Sequence, residues 1–199
     1  MTINKKITFL DIETTSKSFT PGPVKCFDSI VEVAAAIVNL ENREIELEKN
    51  WLIQPHGPQS KIRINEIRDW DFGEFHLKHE TFKNVDWDLG QDRKEVMLEL
   101  SQNFLIPGAV VGAQNPNFDL NHLERDFAEL NIEWPKLNYH IFDLASPALF
   151  LVMGGVVESP SLRHTSVWAG CSKQKHRALD DVHDTIKTFW SMYDFFMSR

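Results

Sequence analysis

Ile7-Thr8-Phe9-Leu10-Asp11-Ile12-Glu13-Thr14-Thr15 is the stretch from which the fold can be read. Its first half is apolar and β-prone and follows the polar Asn4-Lys5-Lys6, the pattern of a buried central strand. Side chains alternate along a strand, so Asp11 and Glu13 project from one face, one pleat apart. Carboxylates held that close repel and raise each other's pKa unless a cation lies between them. Divalent ions bound through oxygen are the natural neutraliser, and the carboxyl end of a strand is where a sheet places such a site. Asp-x-Glu alone is a weak motif that equally fits a strand leaving the core for water.

The chain has 199 residues, enough for one well-packed domain, read as a single unit over 1–199 with an insertion-like segment at about 56–91. Hydrophobic residues at 42% and charged residues at 25% are ordinary globular values. A net charge of -8 argues against a protein that coats duplex by neutralising phosphates, but not against a carboxylate site filled by metal. Cys26 and Cys171 lie far apart, as in a reducing compartment. With no signal-like apolar run and no segment of membrane-spanning length, a soluble cytoplasmic protein without membrane contact is expected.

Outward from the first strand, residues 30–40 form a second buried strand interrupted only by Glu32, whose carboxylate should bond a neighbouring polar group. Glu41-Asn42-Arg43 turns it into an outer strand over 44–55. Val96, Met97, Leu100 and Phe104 predict one helical face, followed by a short strand at 109–113. Leu120, Leu123, Phe127 and Leu130 predict a helix from Asp119 onward. A short strand ends at Asp143, a helix follows near 145–153, and Ser161 caps another. The last helix runs over about 179–197 with Val182, Ile186, Phe189 and Tyr193 inward. This order predicts an α/β sandwich.

Two later stretches match the first in kind: Asn115-Pro116-Asn117-Phe118-Asp119, and His176-Arg177-Ala178-Leu179-Asp180-Asp181. Taken singly, Asp119 reads as an N-cap, Asp181 as a first-turn acid facing the helix dipole, and His176 as a loop histidine. Together they set three acid-bearing element ends in one order. In that order, F-L-D-I-E-T-T, N-P-N-F-D and H-R-A-L-D-D, the chain resembles DEDD-type 3′-to-5′ exonucleases of the RNase H-like superfamily, in the subgroup whose last motif contains His (DEDDh). The likeness spans nearly the whole chain. It departs where Gln114 stands in place of a common His, and in the length of the segment from His56 to Gln91.

The resemblance implies an α/β fold with an RNase H-like mixed five-stranded sheet, three antiparallel strands then two parallel ones, flanked by helices. It implies that Asp11, Glu13, Asp119 and Asp181 ligate two divalent cations, Mg²⁺ or Mn²⁺, and that His176 is the general base. It further implies contacts to the terminal nucleotide from Ile12, Thr14, Thr15, Asn115 and Phe118, with Ile12 wedged against the last base. The residue types suit the chemistry: hard cations prefer carboxylate oxygen, and a histidine of ordinary pKa near 6.5 titrates near neutrality. The expected activity is release of nucleoside monophosphates from single-stranded nucleic acid, DNA slightly favoured. The alternatives are an exoribonuclease resembling oligoribonuclease or ribonuclease T, and a noncatalytic polymerase-associated module. Partners are then single-stranded DNA or RNA 3′ ends, with a polymerase or other replication protein left open.

Among other candidates, Asp143 ends a strand beside the site, while Asp180, His183 and Asp184 read as helix-surface residues. His76 and His79 have a ligand-like spacing without the partners of a zinc site. The segment from Lys61 to Asp88 interleaves aromatics with cations, and Trp70 is the residue expected to stack on an unpaired base.

Overall fold

The structure is a computed structural model that describes residues 5–14, 29–54, 89–172 and 176–198. Thr15, Cys26, Trp70, His76, His79 and most of the 56–91 segment lie outside the described residues, and the expectations placed on them with it. Five strands are β1 (Lys6–Thr14), β2 (Ile30–Asn39), β3 (Ile45–Leu52), β4 (Val110–Ala113) and β5 (Ile141–Asp143). The helices are α1 (Arg93–Asn103), α2 (Pro116–Glu129), α3 (Ala145–Met153), α4 (Leu162–Trp168) and α5 (Ala178–Met197).

The strands form one mixed sheet in the order β3-β2-β1-β4-β5. β1 pairs with β2 antiparallel, and so does β2 with β3; β4 runs parallel to both β1 and β5. This is the RNase H-like sheet expected, with the outer strand β3 at its edge. Because β1, β4 and β5 point the same way, their carboxyl ends share one edge of the sheet. β2 runs oppositely, so its beginning lies there too, with Glu32 in register with Glu13.

Alternation along β1 sorts its side chains between two cores. Leu10 and Ile12 pack with Val96, Met97 and Leu100 of α1 and with Leu123 and Phe127 of α2. Ile7 and Phe9 pack on the opposite side with Leu151 of α3, Leu162 of α4 and Val182 and Phe189 of α5. Phe9 is fully buried, 5.4 Å from the Phe189 ring. Its register partner in β4 is Gly112, where a Cβ would come within 2.9 Å of the Phe9 ring, so a side chain there would push the two strands apart. Phe9→Ala would cost about 3–5 kcal/mol.

Three local readings are corrected. The helix expected from Asp119 starts earlier, at Pro116, because proline lacks the amide hydrogen that a first helical residue leaves unbonded. Asp119 is therefore not an N-cap but lies inside the first turn. Ser161 occupies the N-cap position of α4 but makes no side-chain cap bond; its hydroxyl meets His164 Nδ1 at 2.9 Å instead. Tyr193 is 44% exposed, and Met192 takes the inward position. Arg43 of the β2–β3 turn covers Trp190 and Tyr193 and pairs with Asp194.

Candidate active site

The face of β1 that carries Ile7 and Phe9 carries Asp11 and Glu13 next, so a core row turns into an acidic one at the sheet edge. Asp11 is partly open to solvent, whereas Glu13 is 8% exposed and Asp119 and Asp181 are each 3% exposed. Asp119 reaches β1 from α2: its Oδ1 accepts the Ile12 N–H at 3.1 Å. Asp181 comes from the first turn of α5, where the helix dipole favours negative charge. Glu13, His176 and Asp181 offer ligand atoms that all lie within 4.8 Å of one another.

Electrostatics show the same convergence. Burial is the largest cause holding Asp11 well above the usual carboxylate range, followed by the charges of Asp119, Asp181, Glu13 and Glu32. Glu13 is raised by burial, then by Asp181, Glu32 and Asp119, with Arg177 opposing. Burial pushes Asp119 up to about 8, against the lowering effect of its backbone hydrogen bonds. Acids buried so close need protons or cations to be neutralised, and four carboxylates, with no cysteine in the cluster among the described residues, suit Mg²⁺ or Mn²⁺. The residues present therefore fit divalent metal.

Backbone geometry where α2 and α5 begin is unusual. Asn115 (φ 58°) and His176 (φ 56°) both occupy the left-handed region, sparsely populated by residues with a Cβ and often found at sites. Asp143 supports the start of α2: its Oδ1 accepts the N–H of Asn115 at 3.1 Å and of Ala145 at 2.9 Å. Phe118 is half-buried, its ring 4.4 Å from His122. Ile12 is 5% exposed with its side chain in the core, so it meets the site through its backbone, and Thr14 is buried at the strand end.

Glu32 bonds polar neighbours, as its place inside an apolar strand implied. Its partners come from distant parts of the chain. Asn50 Nδ2 of β3 donates to it at 2.8 Å, and Arg177 grips it with Nη2 at 2.7 Å and Nε at 2.9 Å. Arg177 stood in the quoted motif without a role, and its pairing across 145 positions leaves no local signal. His183 meets Glu48 at 2.7 Å on the surface, and the Cys171 thiol is pushed up to about 11, by burial above all and then by the Asp184 carboxylate.

The RNase T family model, described as exonuclease, matches residues 8–189. The chain belongs to this exonuclease family. Solved structures of the same fold include an exonuclease I at TM-score 0.67 and 16% identity, covering 98% of this chain and 44% of that one. E. coli exonuclease I, crystallised with a dT13 oligonucleotide, aligns at 0.67 and 15%, over 96% and 41%. A 3′-exonuclease described by its 3′-end-specific recognition of histone mRNA stem-loop aligns at 0.68 and 12%, over 96% and 64%. The chain thus spans less than two thirds of each of these proteins. No curated protein sequence matches it.

Proposed function

We propose that this exonuclease-family chain is a metal-dependent 3′-to-5′ exonuclease of the His-containing DEDD subgroup. In this reading it releases nucleoside monophosphates from single-stranded nucleic acid, with DNA slightly favoured. One observation supports it above others: four acids from β1, α2 and α5 converge at one sheet edge with His176 beside Glu13 and Asp181. A chain that served only as a noncatalytic module would have no physical reason to bury carboxylates that repel one another.

Asp11, Glu13, Asp119 and Asp181 would hold the two cations, Mg²⁺ or Mn²⁺, which supply positive charge to the attacked phosphate and to the leaving oxygen. His176 takes the proton from the attacking water. The water oxygen bonds to phosphorus, the bond to the 3′ oxygen of the penultimate nucleotide breaks, that oxygen takes a proton from solvent, and a nucleoside 5′-monophosphate departs. The Ile12 amide fixes Asp119 in its ligating position, and backbone at Thr14 and Thr15 holds the terminal 3′ hydroxyl. Asn115 and Phe118 line the approach of the last nucleotide, while Trp70 would stack on a base further along the strand.

An RNA-directed activity is the second reading, supported by the stem-loop RNA recognised by one structural neighbour. Association with a polymerase has no support in the comparisons and is not part of the proposal. A cytoplasmic location, read from cysteine usage, belongs to it; no helix among the described residues is long and apolar enough to cross a membrane. Labelled single-stranded DNA and RNA of one sequence, incubated with and without Mg²⁺, test the reading. Mg²⁺-dependent release of mononucleotides, faster on DNA, is expected; RNA-only release would favour the second reading.

A further inference from the structure

We infer that Glu32 and Arg177 form a latch that positions His176, and that both are positioning residues of the active site. The inference rests on the proposed exonuclease reading and adds residues outside the metal-binding and proton-accepting set.

Three observations point to it. Glu32 is 2% exposed, inside a strand otherwise apolar, and directly across the ladder from Glu13. A buried acid beside another acid is costly unless its charge is compensated, and Arg177 supplies both charge and shape. Its Nε and Nη2 form a two-pronged grip on the carboxylate at 2.9 and 2.7 Å, a fork that lysine lacks. Second, the same carboxylate gathers elements that are separate in sequence. It belongs to β2, accepts Asn50 Nδ2 of β3 at 2.8 Å, and lies 3.4 Å from the Ala178 N–H at the start of α5. Third, Arg177 is the N-cap residue of α5, has no side-chain cap bond of its own, and directly follows His176. His176 has φ 56°, a conformation that is strained for a non-glycine residue and persists only where surroundings impose it. Arg177 is anchored to the sheet by its side chain, so the peptide joining it to His176 is anchored as well. The imidazole is thereby held where its ring reaches Glu13 and Asp181.

A charge effect and a positioning effect give different patterns. Glu32→Gln and Arg177→Gln change the local charge in opposite directions. A purely electrostatic role would therefore shift Mg²⁺ binding oppositely in the two variants and restore the wild-type rate in the double variant. Positioning requires both partners, so each single variant and the double should lose kcat to a similar extent. The loss expected is roughly 10–100-fold, smaller than that from removing His176 itself, with KM changed less than about twofold. Arg177→Lys keeps the charge but not the fork and should lose as much as Arg177→Gln.

The deciding experiment places Arg177→Gln in a His176→Ala background, with kcat measured on a single-stranded oligonucleotide at saturating Mg²⁺. The Mg²⁺-induced rise in melting temperature is followed alongside. With the imidazole gone the latch has nothing to position, so Arg177→Gln should then cost less than about twofold, and the Mg²⁺-induced rise should persist in every variant. The same fractional loss with and without His176, a wild-type rate in Arg177→Lys, or recovery in the double variant would each overturn the latch. Arg177 is 38% exposed, so its variants report even where Glu32→Gln fails to fold. A wild-type chain that releases no nucleotide would instead overturn the exonuclease reading and the latch with it.

Discussion

Two helices begin at the site, and the likeness of their first turns makes their difference informative. α2 has Asn115 at its N-cap and Asp119 four residues on; α5 has Arg177 at its N-cap and Asp181 four residues on. Neither N-cap side chain makes a cap hydrogen bond, and each helix start includes a residue in the left-handed region, Asn115 itself or His176. The start of α2 is held by short polar bonds to backbone: Asp143 accepts from the Asn115 amide, and Asp119 accepts from the Ile12 amide. The start of α5 is held by a long side chain reaching a carboxylate across the sheet. Each start can be probed by one substitution outside the proposed metal ligands, Asp143→Ala for α2 and Arg177→Gln for α5. The start of α5 directly follows His176, the proposed proton acceptor, and α2 has no such residue.

The largest effect should come from the acids themselves, where α2 and α5 ought to respond alike. Asp119→Asn and Asp181→Asn should each reduce Mg²⁺-dependent nucleotide release to background while the folded chain survives. Circular dichroism and a nuclease assay on the same preparation check this. Residual activity in one variant only would make the two helix starts functionally unequal.

His176→Ala comes next and breaks the symmetry, because α2 has no counterpart to it. The rate should fall roughly 10²–10⁴-fold. The rise in melting temperature on adding Mg²⁺ should persist, which separates a proton acceptor from a ligand at this position close to Glu13 and Asp181. Loss of that rise would make His176 a metal ligand.

Asp143→Ala tests the start of α2. It removes the acceptor for the Asn115 and Ala145 amides, each bond worth about 1 kcal/mol, and so should slow turnover by no more than about thirtyfold. A loss as great as that from Asp119→Asn would mean that Asp143 joins the ligands.

The last effect concerns stability, not turnover, and its dependence on pH without metal. Asp119 folds with a pKa of about 8, above the unfolded value of about 3.9, so the folded chain binds more protons across that window. Stability should therefore be greatest at the acidic end and decline as pH rises from about 4 to about 8. At about 2–4 °C per kcal/mol for a chain of this size, the melting temperature of metal-free protein should fall by roughly ten degrees or more over that range. Asp119→Asn should lessen the slope, with Asp11 and Glu13 still raised by burial, and saturating Mg²⁺ on the wild type should flatten it. A melting temperature that climbs over the same range would contradict the raised carboxyl.

Much of this was legible in residue order. Alternation in Ile7–Thr15 located the central strand and put both acids on one face, and the apolar run after Ile30 located its neighbour. The acids at 119 and 181 were legible because each stands at an element end. What escaped depended on contacts without local periodicity. The start of α2 at Pro116 rather than Asp119 followed from proline at the first helical position, a cue in plain view but outweighed by apolar spacing. Tyr193 kept the helical period yet faces Arg43, since period alone does not say which of two neighbouring residues turns inward. Glu32 stood out as a charge within an apolar strand, but its partner lies 145 positions away, and only the fold brings them together.

A metal-dependent exonuclease site built from these four acids can be challenged head-on with a 5′-labelled single-stranded DNA. With Mg²⁺ the wild type should shorten it progressively from the 3′ end and release mononucleotides, while excess chelator or Asp11→Ala should leave it intact. Internal cuts as the first products, shortening that continues in chelator, or an Asp11→Ala protein as active as the wild type would contradict such a site.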